Sequence, residues 1–216
     1  MELPLFPLNI VLFPGATAPL HIFEERYKEM IGLCLEERRP FGIVLIREGL
    51  EVGAPAVPFE VGTTVYITQA ERLEDGRLNL VCFGGQRFRV LSTSTDRSYL
   101  VGEVEILPTV SETDEETLDY AATTSQLFAE YVRLYLAISH QWASGVEMPT
   151  DPDRLADYIA SRLAIGNDTK QRLLEELSAH NRLAIEIEVL GDLIQAMQPR
   201  LEAARATRWS GFSTMN

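Results

Sequence analysis

The apolar positions of the first hundred residues fall mostly at the two-residue period of a strand, interrupted once by a helical stretch. Residues 3–5 and 10–13 are short apolar runs separated by proline, and Pro14-Gly15 marks a turn after them. Residues 18–22 read as another extended piece. Phe23, Tyr27, Met30, Ile31, Cys34 and Leu35 then recur at three- and four-residue spacing, with Glu24, Glu25, Lys28, Glu29 and Glu36 between them. That spacing predicts an amphipathic helix closed before Pro40. Residues 41–46, FGIVLI, are apolar without a break, as in a strand covered on both faces. The glycines and prolines of residues 49–62 predict an irregular loop, and strand-like segments follow at 63–73, 77–83, 86–93 and 99–107. Asp75-Gly76 joins the first of these to the second and Gly84-Gly85 the second to the third. Both pairs suit tight hairpins, because glycine tolerates positive φ.

Past Pro108 the period becomes helical. Thr113 and Glu116 form a T-x-x-E capping box. Behind it Leu118, Ala121, Ala122, Ser125, Phe128, Tyr131, Leu134, Tyr135 and Ile138 mark one face of a helix reaching Gln141. Asp151-Pro152 supplies the cap and first position of a helix carrying Leu155, Tyr158, Ile159, Leu163 and Ile165. Asp168 is placed to cap a short helix with Leu173, Leu174 and Leu177 on its face. Ser178 is placed to cap the last, running through Leu183, Ile187, Leu190, Ile194 and Met197, which Pro199 is expected to end or kink. The fold class expected is α+β: a twisted, partly closed β-rich domain with one embedded helix over residues 1–107, a four-helix bundle over 108–206, and a flexible tail over 207–216.

Charge narrows the partners. The chain carries a net charge of −13, with both the β-rich and the helical parts acidic. Affinity for a nucleic-acid backbone rests largely on Lys and Arg neutralising phosphates, so no nucleic-acid partner is expected. No apolar stretch approaches the roughly 20 residues that span a bilayer, and the N-terminus lacks the basic region of a signal peptide. A cytoplasmic location and no membrane partner are therefore expected. Cys34 and Cys82 stand in apolar surroundings and read as buried thiols rather than a disulfide framework.

Residues 3–30, LPLFPLNIVLFPGATAPLHIFEERYKEM, resemble the opening signature of the Lon protease N-terminal, substrate-binding domain family. FGIVLI at 41–46, GTTVYITQ at 62–69, DGRLNLVCFGGQRFRV at 75–90 and YLVGEVEIL at 99–107 continue the resemblance in order, and DRLADYIASRL at 153–163 and KQRLLEELSAHNRL at 170–183 extend it more loosely. The resemblance implies a PUA-like β domain followed by helices, in a region that helps capture unfolded or damaged proteins. On that resemblance the chain is expected to be a stand-alone member without ATPase or protease domains.

The motifs agree with that reading. Neither lysine, Lys28 or Lys170, follows the glycine-rich loop of a nucleotide site, and neither lies in a Ser–Lys protease motif. His21, His140 and His180 are far apart, with no H-x-x-x-H or C-x-x-C pair among the residues that ligate metals. No catalytic residue, cofactor or metal is expected. Unfolded or damaged polypeptides are the expected partners, with a protease or chaperone as a further candidate; RNA binding by a PUA-like domain and a purely structural role are the alternatives. Candidate peptide-binding residues are Phe23, Arg26 and Tyr27 at the start of the embedded helix, and Arg87 and Phe88 after the Gly84-Gly85 pair. The competing structural reading pairs Glu24 or Glu25 with Arg26 or Arg87 to tie helix to hairpin, and places Phe6, Phe13, Phe23 and Phe88 in the core. The 49–62 and 142–151 connections are the loops best placed to carry binding.

Overall fold

A computed structural model describes residues 1–51, 56–110, 112–139 and 147–210, the last eight as backbone only. The chain divides into two compact units. One comprises Met1–Val110 with Ala160–Leu177, the other Ser111–Ile159 with Ser178–Asn216.

The first unit holds strands β1 (Glu2–Leu8), β2 (Thr17–Ile22), β3 (Phe41–Glu48), β4 (Val57–Arg72), β5 (Leu78–Ser94) and β6 (Val101–Ile106), with helix α1 (Glu25–Glu36) between β2 and β3. β1 and β3 run parallel and every other pairing is antiparallel. Because β6 pairs with both β1 and β5, five strands close into a ring, β1-β3-β4-β5-β6. β2 stands outside that ring, bonded only to β5. Two prolines in β1 are tolerated because neither lies between two complete ladders. Pro4 pairs only with β6 and Pro7 only with β3, so neither interrupts bonding on both sides.

The uninterrupted apolar run of β3 is buried through Ile46, as a strand covered on both faces should be. The core has two clusters. One collects Phe6, Tyr27, Met30, Ile31, Phe41 and their neighbours under α1, which buries Tyr27, Met30, Ile31 and Cys34. The other gathers Leu3, Leu5, Val44 and Val104 around Phe88. A Cβ at Gly42 or Gly62 would stand 2.6 and 2.8 Å from the tip of the Phe88 ring, so glycine at these two positions makes room for it. Burying a phenylalanine of this kind is worth about 1.5–3 kcal/mol.

Two strand expectations change and one holds. β4 begins at Val57, so the Gly/Pro-rich stretch predicted as loop is strand over its last six residues; residues 52–55 lie outside the described set. Its prolines and glycines serve an irregular ladder, with register shifts opposite Ile46 and a Gly62 whose Cβ would stand 2.4 Å from the Ile43 carbonyl oxygen. The Asp75-Gly76 hairpin forms, with Gly76 N–H donating to the Leu73 carbonyl. Gly84-Gly85, by contrast, is no turn. β5 runs straight through it, pairing with β2 before the glycines and with β6 after them. The pair is there because backbone crowds it: a Cβ at Gly84 would lie 2.4 Å from the Phe13 carbonyl oxygen.

Helices α2 (Glu115–Ser139), α3 (Pro152–Arg162) and α5 (Ala179–Ser210) belong to the second unit, α3 up to Ile159; α4 (Asn167–Glu175) belongs with the sheet. Gln171 on α4 donates to the Val61 carbonyl at 3.0 Å, and Arg87 Nε donates to the Leu174 carbonyl at 2.8 Å. These bonds draw α4 away from a bundle of four helices and onto β4. The α2 cap is Asp114 rather than Thr113, its carboxylate accepting from the Thr117 N–H and hydroxyl. The buried face of α2 is Thr117, Ala121, Thr124, Phe128 and Tyr131, which leaves Leu118 and Tyr135 exposed. Asp151 caps α3 as expected, accepting from Arg154 N–H. Ser178 caps α5 through Asn181 N–H, whereas α4 is preceded by Gly166 with no side-chain cap. α5 continues past Pro199 to Ser210 instead of ending there. Residues 140–146, most of the second candidate loop, and 211–216 of the expected tail lie outside the described residues.

Candidate functional site

The site lies where β1, β2 and the start of α1 meet. Phe13-Pro14-Gly15-Ala16 turns the chain from β1 into β2, with Ala16 N–H donating to the Phe13 carbonyl and Gly15 at φ 75°. Ile22 ends β2 buried, the chain leaves the sheet at Phe23, and Glu24 starts the helix by accepting the Tyr27 and Lys28 N–H groups on its carbonyl. The result is a cleft of about 260 Å³. Its floor is Phe6, Leu8, Leu20, Ile22 and Tyr27, and its mouth carries Ile10, His21, Phe23, Glu24 and Glu51. Phe23 and Ile10 are 51% and 41% exposed, beside an otherwise buried apolar floor.

Aromatic packing and one cation hold the floor. The Tyr27 ring lies 4.1 Å from that of Phe6, centroid to centroid, and the Arg26 guanidinium stands 4.6 Å over Tyr27. Arg26 also lies 3.0 Å from a Glu24 carboxylate oxygen and donates to the Glu51 carbonyl at 3.5 Å. Burial pushes the Tyr27 phenol up, Arg26 opposes this, and Glu24 and Glu51 reinforce it. The phenol therefore stays protonated at neutral pH.

β2 contributes an open edge. Gly84 N–H donates to the Ala16 carbonyl, and the alternation of an antiparallel ladder then turns the backbone of Thr17, Pro19 and His21 toward the unpaired side. Pro19, at the middle of that row, has no N–H to offer an incoming strand. The His21 ring is occupied as well: its Nδ1 lies 2.8 Å from Asn79 Oδ1, and Arg77 donates to Nε2 at 3.3 Å. An extended segment at this site is thus favoured by its side chains entering the cleft more than by continuous strand pairing.

Of the five candidate residues, Phe23 and Tyr27 line this cleft, and Arg26 stands over the Tyr27 ring without lining it. Arg87 and Phe88 lie elsewhere, both buried: Arg87 is bonded to the α4 backbone and Phe88 fills the ring interior. Of the ion pairs considered, Glu24 does pair with Arg26, but both stand at the start of α1, and Glu25 pairs with Lys28 at 2.8 Å. Phe6, Phe13 and Phe88 are core, whereas Phe23 is not. Sequence reading missed Ile10, Leu20 and Glu51. Only the non-alternating apolar run at 10–13 hinted at the first of them.

Cys34 and Cys82 are free and buried, and burial raises their thiols to about 11 and about 12, too high to give thiolate at neutral pH. Among the described residues no group of three or more His, Cys, Asp or Glu could hold a metal ion, and no helix is long and apolar enough to cross a membrane.

The family model of the ATP-dependent protease La (LON) substrate-binding domain matches residues 2–192. The chain is 27% identical over 197 residues to Lon protease 1 of Hydrogenovibrio crunogenus, covering 88% of this chain and 24% of that protein. It is likewise 27% identical to Escherichia coli Lon protease, covering 92% of this chain and 26% of that one. It therefore spans about a quarter of the length of the curated relatives it matches. Among solved structures, a Lon N-terminal domain protein from Xanthomonas campestris superposes with a TM-score of 0.62 at 29% identity, covering 85% of this chain and 95% of that one. The N-terminal domain of the Mycobacterium avium complex Lon protease shares the fold, with a TM-score of 0.66 at 23% identity and coverage of 89% and 99%. The matched region is the substrate-binding part of these proteases and not their catalytic part. With a mixed sheet and five helices among its described residues, and a family match over nearly its whole length, this chain belongs to the Lon substrate-binding domain family.

Proposed function

We propose that this chain is a non-catalytic, cytoplasmic protein-recognition module that binds unfolded or damaged polypeptides, either directly or as an adaptor for a protease or chaperone. The observation that carries this reading is the cleft at the start of α1, where exposed Ile10 and Phe23 border an apolar floor. Contiguous exposed apolar surface marks interaction sites, and unfolded chains are the partners that present apolar side chains. Phe23, Arg26 and Tyr27 are the residues of the site; Arg87 and Phe88 act behind it, supporting the scaffold. The ring of strands is read as PUA-like, and the 1–107 and 108–206 parts as a binding scaffold with a helical extension.

The test is binding of a permanently unfolded model polypeptide and its folded counterpart, followed by fluorescence anisotropy. The unfolded form should bind more tightly. Phe23→Ala should weaken that binding about tenfold, since loss of an aromatic anchor costs on the order of 1–2 kcal/mol. Phe23 is half exposed, so the fold should tolerate the change. Equal binding of folded and unfolded forms, or indifference to Phe23→Ala, would remove the proposal.

A further inference from the structure

Among its described residues the second unit buries two acids, Asp157 and Glu186, and one cation, Arg182. Arg182 on α5 is fully buried and meets two carboxylates of α3: it is bonded to Asp153, and its Nε lies 3.7 Å from Asp157. One turn further along α5 stands Glu186, also fully buried. Neither of its carboxylate oxygens has a hydrogen-bond donor. α2 packs along α5 with Thr117, Ala121, Thr124, Phe128 and Tyr131 as its buried face, and of these only Tyr131 titrates. Among the described residues, the charged groups acting on Glu186 are the Arg182 cation, which already meets two acids, and Asp157 itself. An ionised carboxylate in that position lacks both water and a hydrogen-bond donor, a costly arrangement in a protein interior.

We propose that Glu186 is a proton-operated lock between α3 and α5, closed when its carboxyl is protonated and opened when it ionises. Protonated, it leaves two acids to balance Arg182 and packs as a neutral side chain. Ionised, it sets three carboxylates around one guanidinium, and the charge is relieved by separating α3 from α5, which Arg182 joins through Asp153 and Asp157. Burial, with Asp157 adding to it and Arg182 opposing, raises the Glu186 carboxyl well above the ordinary range. The sign follows directly. Between the unfolded and folded values the native state holds a proton that the open state gives up, so stability falls as pH rises through that window.

Hydrogen exchange in the α3 amides of the full chain reads the lock. Protection factors, which already allow for the intrinsic pH dependence of exchange, should fall about tenfold per pH unit above the unfolded carboxyl range, the slope of one proton released on opening. Glu186→Gln should flatten that slope and raise α3 protection at pH 8. An equal slope in both proteins would overturn the lock. The infrared stretch of a protonated carboxyl in the unmodified protein at pH 7 tests the same point should the variant not fold. Its presence, and its survival in Asp157→Asn, supports the assignment to Glu186; its absence, or its loss in that variant, overturns it.

Discussion

Phe88 shows how single residues decide the interior of this fold. Its ring occupies space that only glycine leaves at positions 42 and 62, and at 62 the neighbouring obstacle is also a backbone carbonyl. A side-chain tip can rotate aside, but a strand cannot without losing its ladder. Gly62→Ala should therefore destabilise by about 1–3 kcal/mol, the usual range for an overfilled core; a denaturant midpoint equal to that of the unmodified protein would show that the strands yield freely. The sequence announces Phe88 as an aromatic worth noting but does not say which way it faces. The same is true of Arg87, whose partner is a backbone carbonyl 87 residues later. Phe23 misleads in the opposite sense. Its spacing to Tyr27 fits a helical apolar face, yet it precedes the helix and is exposed.

At the scale of elements, most of what was legible is local chemistry. The Asp75-Gly76 hairpin, the Pro14-Gly15 turn and the Asp151 and Ser178 caps all form between residues two to four apart, where a short window of sequence contains the whole interaction. Glu112 was not legible. It lies before α2, yet its carboxylate accepts from the His180 N–H at 2.8 Å and from the Ser178 hydroxyl, completing the start of α5. Those donors hold the carboxyl below its usual range. Glu112→Ala should cost about 0.5–2 kcal/mol, as loss of a helix cap does. Because the folded value is depressed, the contribution is present above the unfolded range and disappears as pH falls through the folded value. The difference between Glu112→Ala and the unmodified protein in thermal unfolding should therefore vanish in acid; a difference that persists there would assign Glu112 a packing role instead. The Gly84-Gly85 pair teaches the limit of local signals, since a glycine needed for a turn and a glycine needed for close backbone approach look alike in sequence.

For the molecule as a whole, charge is the property that composition alone conveys. A net charge of −13 predicts that RNA is not retained on filters at moderate salt, and that any retention at low salt is weak. Tight binding with a steep salt dependence would instead reveal a basic surface that the sequence conceals. The α+β class, the single embedded helix, the buried β3 strand and the family were all determined by the sequence itself, because periodicity and motif order are properties of the chain before it folds. Tertiary structure alone decided that β6 closes the ring, that α4 joins the sheet, that Phe23 and Tyr27 share a cleft with Ile10 and Glu51, and that Glu186 is buried without a donor. These depend on contacts between residues distant along the chain, and no local pattern encodes which of many apolar or acidic side chains will end up facing one another.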